Sequence, residues 1–130
     1  MNDSAYIDRL IRWLRLSGAR VHPFAVDMSF DGGFYRSETR EVFLNVASAR
    51  SALLTLAHEA GHFLGYEVFG EKRESYQRER QAFAYGWRAL ALIGADRIVS
   101  RSEWIEHERE RRRTPQDGDT ASVKSRPEVE

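Results

Sequence analysis

Residues 58–62 read His58-Glu59-Ala60-Gly61-His62, two imidazoles four positions apart with a carboxylate beside the first. On a helix, positions i and i+4 lie on one face, one turn apart. His58 and His62 therefore point the same way, as two imidazoles must to share one metal ion. Glu59 is rotated away from that line, within reach of a metal-bound water rather than of the metal. This is the arrangement of a zinc hydrolase helix, with Glu59 as general base.

Three fixed positions in five can arise by accident in a chain with four His and many Glu. The context argues otherwise. Leu53, Leu54, Leu56 and Ala57 precede the motif and Phe63 and Leu64 follow it, so it lies in an apolar helical run. Ala60 and Gly61 are small enough to let another element approach the metal.

Two His need at least one more protein ligand, with a position left open if the site is catalytic. The downstream candidates are Glu67, Glu71, Glu74, Glu79 and His107. Positions three, seven and eleven after Glu79 are Ala82, Gly86 and Leu90, a small and then apolar face that can pack closely on another helix. Glu74 is followed on its face by Gln77 and Gln81, and Glu71 by Glu74, Ser75 and Arg78, both polar. This comparison selects Glu79, carried inward against Ala60 and Gly61, with Glu74 next in line. An exposed Glu in a charged helix is the plainer reading, since Arg78 and Arg80 flank it.

These residues need elements to hold them. Tyr6, Ile7, Leu10, Ile11 and Leu14 recur at helical spacing, predicting a helix from a Ser4 cap to Leu16 that stops at Gly18. Residues 20–30 read as extended, with Phe24, Val26, Met28 and Phe30 alternating and Pro23 marking a strand start or an edge. After a turn at Asp31-Gly32-Gly33, residues 33–36 and 41–46 read as a hairpin that feeds the metal helix. That helix is predicted from Ala49 to Tyr66, capped by Asn45 or Ser48, with a break between Gly65 and Gly70. A second helix runs from Ser75 to Ile93 and ends at Gly94. A short one spans Ser102 to Arg112, capped by Ser102 and anchored by Trp104 and Ile105. Glu106, Glu108 and Glu110 beside Arg111-Arg112-Arg113 read as its solvated end. The polar residues 113–130 are expected to be a disordered tail.

The stretch from residue 33 to 93 resembles the ImmA/IrrE-type metallopeptidases. That family shows a short strand ending near Asn, then Thr-Leu-Ala-His-Glu-x-Gly-His on a helix, then Glu-x-x-Ala-x-x-Phe-Ala on the next. Here Leu44-Asn45 precedes Thr55-Leu56-Ala57-His58-Glu59-Ala60-Gly61-His62, and Glu79-Arg80-Gln81-Ala82-Phe83-Ala84-Tyr85-Gly86 follows. Tyr85-Gly86 replaces Phe-Ala, Leu90-Ala91-Leu92-Ile93-Gly94 replaces a usual Leu-Leu-x-Pro, and the family's frequent helix-turn-helix domain has no counterpart. The resemblance implies one Zn2+ per chain on His58, His62 and Glu79, with Glu59 catalytic. It implies cleavage of one or few intracellular regulatory proteins, such as a transcriptional repressor. The expected fold class is α+β. It is a small zincin-like metallopeptidase domain over residues 1–112, with an N-terminal helix and a short three-stranded antiparallel or mixed sheet. The His-Glu-x-x-His helix, the Glu-bearing helix and a short C-terminal helix complete it.

Composition sets limits on this reading. The chain has 130 residues, no cysteine, and 20 basic against 20 acidic residues. Disulfides, thiolate zinc sites and a cysteine nucleophile are excluded. The balanced charge gives no global nucleic-acid surface, and no apolar run reaches membrane-spanning length. With no export signal in view, the expected location is the cytoplasm. A peptidase needs a donor for its oxyanion, for which Tyr35, Tyr66, Tyr76, Tyr85 and His22 are candidates. It also needs an acceptor to orient each His, for which Asp27 or a backbone carbonyl can serve. Two other readings compete: a metal-stabilised regulatory module that does not cleave, and a small helical protein whose His pair is simply packed. Iron or manganese could occupy the same ligands.

Overall fold

The computed structural model describes residues 2–25, 33–69 and 75–113. Within them the chain is α+β, with four α-helices and a small mixed sheet. Helix α1 (Asp3–Leu16) buries Tyr6, Ile7, Leu10, Ile11 and Leu14, the apolar stripe of its sequence period. Its cap is Asn2 rather than Ser4. Asn2 is extended, and its Oδ1 accepts a hydrogen bond from the Ala5 amide at 2.9 Å, so the helix starts one residue before Ser4.

Strand β1 (Arg20–Phe24) is followed by β2 (Gly33–Arg36) and β3 (Glu41–Asn45), in the spatial order β1-β3-β2. β3 lies in the centre, parallel to β1 and antiparallel to β2, which makes the sheet mixed. Val21, Tyr35, Val42 and Leu44 turn into the core. Pro23, which has no amide hydrogen, sits in an outer strand, where the missing donor costs least. Of the extended stretch expected over 20–30, residues 26–30 lie outside the described residues, as do Asp31 and Gly32 of the turn.

Asn45 Oδ1 accepts from the Ala47 amide at 3.1 Å and turns the chain out of β3. The Ser48 carbonyl then accepts from the Ala52 amide, opening α2 (Ala49–Phe69). No break follows Gly65. The glycine is buried inside a helix that continues to Phe69, and Tyr66 beyond it packs near Tyr35. Packing outweighs the roughly 1 kcal/mol helix penalty of one glycine.

Helix α3 (Ser75–Leu92) lies directly on α2, and small residues set the closeness. A Cβ on Gly61 would come within 2.7 Å of the Ala82 Cα, and one on Gly86 within 2.8 Å of the Ala57 carbonyl oxygen. After a 3-10 turn at Ala95–Arg97 comes α4 (Arg101–Arg113). Its first turn is capped by Ser100, whose Oγ accepts from the Glu103 amide at 3.0 Å, rather than by Ser102. Trp104 is fully buried and its Nε1 donates to the Phe83 carbonyl at 3.1 Å, which fastens α4 to α3. Ile105 is only half-buried. Arg113 closes α4, and the rest of the expected tail lies outside the described residues. No helix among the described residues is long and apolar enough to cross a membrane.

Candidate metal centre

His58 and His62 project from the middle of α2 toward α3, and both are buried. Their Nε2 atoms stand 3.0 Å apart. Glu79, in the second turn of α3, sends Oε1 to 3.3 Å from His58 Nε2 and Oε2 to 3.3 Å from His62 Nε2. The close α2–α3 approach at Gly61 and Ala82 makes this possible, because Ala82 lies one turn beyond Glu79. His58, His62 and Glu79 thus offer ligand atoms that all lie within 4.8 Å of one another.

The donor set fits a metal ion. Two imidazole nitrogens and a carboxylate converge on one point, and a proton or a cation must lie among them to offset lone-pair repulsion. Tetrahedral zinc with nitrogen ligands at about 2.0–2.1 Å would separate its donors by roughly 3.3 Å, close to the spacings found. Glu79 is 41% exposed whereas the histidines are at most 1% exposed, so the centre opens on its Glu79 side.

The outer face of His58 is also occupied. Its Nδ1 lies 2.7 Å from Glu108 Oε1, and Glu108 Oε2 lies 3.1 Å from His107 Nδ1. Glu108 is only 4% exposed. The reading of this stretch as a solvated helix end holds for Glu106 and Glu110, which are exposed, and is corrected for Glu108. Glu108 alternates with exposed Glu106 and Glu110 in sequence, but Trp104 one turn earlier carries the Glu108 face of α4 inward. The acceptor for His58 is Glu108, while Asp27 lies outside the described residues. One signal for it was present: Glu108 follows the anchor Trp104 at i+4.

Charge states follow from these contacts. Burial pulls His58 toward its neutral form and the Arg111 cation adds to that. The charges and hydrogen bonds of Glu108 and Glu79 outweigh both, raising its pKa from 6.5 to about 9 in the metal-free chain. Burial works against Glu108 as an anion, yet His58, His107 and Arg111 bring it down to about 2. For Glu79, burial is likewise outweighed by His58 and His62, which hold it well below the usual carboxylate range.

Glu59 differs from the other carboxylates. It is fully buried, and neither oxygen finds a hydrogen-bond donor among the described residues. Burial raises its pKa, against the lowering pull of His58, Arg111 and His62. Arg111 Nη2, from the last turn of α4, is 3.7 Å from Glu59 Oε2, an ion-pair distance beyond hydrogen-bond length.

The remaining sequence candidates lie elsewhere. Glu67 pairs with Arg40 at 2.8 Å and His107 with Glu108, while Glu71 and Glu74 lie outside the described residues. Tyr35 packs edge-on to Phe63 in the core, His22 pairs with Glu41 at 3.0 Å on the surface, and Tyr85 lies under Arg88. Tyr66 borders a surface hollow with Gly18, Arg20 and Arg40, and the Tyr76 side chain lies outside the description. Comparison of the chain with protein-family models, curated proteins and solved structures found no match.

Proposed function

We propose that this chain is a zinc-dependent metallopeptidase of zincin type, with His58, His62 and Glu79 as ligands and Glu59 as general base. The observation that carries the reading is Glu59: a fully buried carboxylate next to His58, with no hydrogen-bond donor among the described residues and only the Arg111 cation near it, at 3.7 Å. Leaving such a group unsatisfied costs on the order of several kcal/mol. A metal that merely staples α2 to α3 has no use for it, and His58, His62 and Glu79 suffice for that task. A hydrolase needs it there.

Zinc, when bound, would supply an acidified water and a polarised carbonyl. The chain's residues do the rest. Glu59 takes the proton of the attacking water and passes it to the leaving amine. Its burial raises its proton affinity, the direction a general base at neutral pH requires. Substrate enters from the exposed Glu79 side. An extended peptide can pair with an outer strand of the sheet. β2 suits this better than β1, where Pro23 removes a donor. By the resemblance to ImmA/IrrE-type metallopeptidases, the substrate class is a regulatory protein such as a transcriptional repressor, met in the cytoplasm.

The test is Glu59→Gln. Zinc-loaded wild type and variant are incubated with a randomised peptide library, and new termini are read by mass spectrometry. Cleavage by wild type, abolished by chelator and reduced at least about 100-fold in Glu59→Gln, with zinc retained in both, is the expected result. Zinc in both proteins with cleavage in neither would favour a metal-stabilised regulatory module instead.

A further inference from the structure

We propose that Glu108 is a positioning residue of the metal centre, which makes α4 a working part of the site rather than a cover over the core. The inference rests on the reading of His58, His62 and Glu79 as metal ligands, and concerns a residue fifty positions from the first of them.

An imidazole can ligate a metal through either ring nitrogen, and the hydrogen bond at the other nitrogen decides which. His58 Nε2 faces His62 and Glu79, so Nδ1 must carry the proton and donate it outward. Glu108 Oε1, 2.7 Å away, is the acceptor. The bond fixes the tautomer, stops rotation of the ring about its χ2 axis, and raises the electron density at Nε2.

Glu108 is itself held. Its Oε2 pairs with His107 Nδ1 at 3.1 Å, and the His107 ring stacks on Trp104 at 5.9 Å between centroids. Trp104 in turn bonds to the Phe83 carbonyl of α3, one turn beyond Glu79. The path from α4 to the third ligand thus runs through packed, hydrogen-bonded side chains. A carboxylate used only to pin α4 would need no contact with a ligand ring, because Trp104 already pins the helix.

The test uses the full chain and zinc alone. Zinc affinity is measured by competition with a chromophoric chelator for wild type, Glu108→Ala, Glu108→Gln and His107→Ala. In parallel, nitrogen-15 NMR reads the protonation of His58 Nδ1 in the loaded proteins. Glu108→Ala should weaken zinc about 10- to 100-fold. Glu108→Gln, which keeps the shape and one acceptor oxygen, should fall between it and wild type. His107→Ala should stay near wild type. Should Glu108→Ala fail to fold, the near-isosteric Gln variant carries the test. Wild-type affinity in Glu108→Gln and Glu108→Ala, with His58 Nδ1 still protonated, would overturn the inference and leave the metal centre standing. No zinc on the wild type would overturn the metal reading itself.

Discussion

Glu108 Oε1 sits 2.7 Å from His58 Nδ1, joining α4 to the His58–His62 face of α2 across 50 residues of chain. Both groups are buried, and around them lie Glu79 and His62 on one side and His107 and Arg111 on the other.

This pair should make metal-free stability depend on pH. The folded His58 pKa, about 9, lies above its ordinary 6.5, so its contribution is fully present below pH 6.5 and is lost as pH rises toward 9. The folded Glu108 pKa, about 2, lies below 4.5, so its contribution is present above pH 4.5 and is lost as pH falls toward 2. Urea melts of the metal-free chain should therefore show stability falling between pH 6.5 and 9, with a weaker fall in Glu108→Gln. With zinc present the slope should reverse over the same window, because zinc competes with the His58 proton.

Gly61→Ala should be destabilising by about 1–3 kcal/mol. The new Cβ would fall 2.7 Å from the Ala82 Cα and closer still to its carbonyl oxygen, both backbone atoms that move only with the helix. Pushing α3 away also carries Glu79 from the histidines. Denaturant melts without metal and zinc titration of the same variant should both register the change, whereas Gly61→Ala with unaltered zinc affinity would contradict the role given to this contact.

The Arg111–Glu59 pair should be coupled. Arg111→Met leaves the buried Glu59 carboxylate without its nearby cation, and should lower metal-free stability. In a Glu59→Gln background the same change should cost less. A double-mutant cycle should give a coupling of about 0.5–3 kcal/mol; strict additivity would mean that the 3.7 Å pair has no energetic content.

Much of this arrangement was legible in the chain. The His58–His62 spacing and the small face Ala82–Gly86 carry their own geometry, since helical period alone says what lies on a face. Four helices and three strands followed from apolar period and turn residues, and the mixed sheet was one of two options. What was missed depends on tertiary contact. Glu108 sits between two exposed glutamates in a charged helix, and only the docking of Trp104 turns it inward. Asn2 and Ser100 each took a cap expected of a Ser two residues downstream, an error within the ordinary slippage of helix ends. Gly65 reads locally as a breaker, but helix packing carries α2 through it.

The most direct measurement is the zinc content of the purified protein by elemental analysis, beside His58→Ala and Glu79→Ala. About one zinc per wild-type chain is expected, as one three-ligand site requires, with loss of it in both variants. Zinc surviving Glu79→Ala would move the third ligand elsewhere, and no zinc on any of the three, even after zinc is supplied, would contradict the metal centre and the peptidase reading with it.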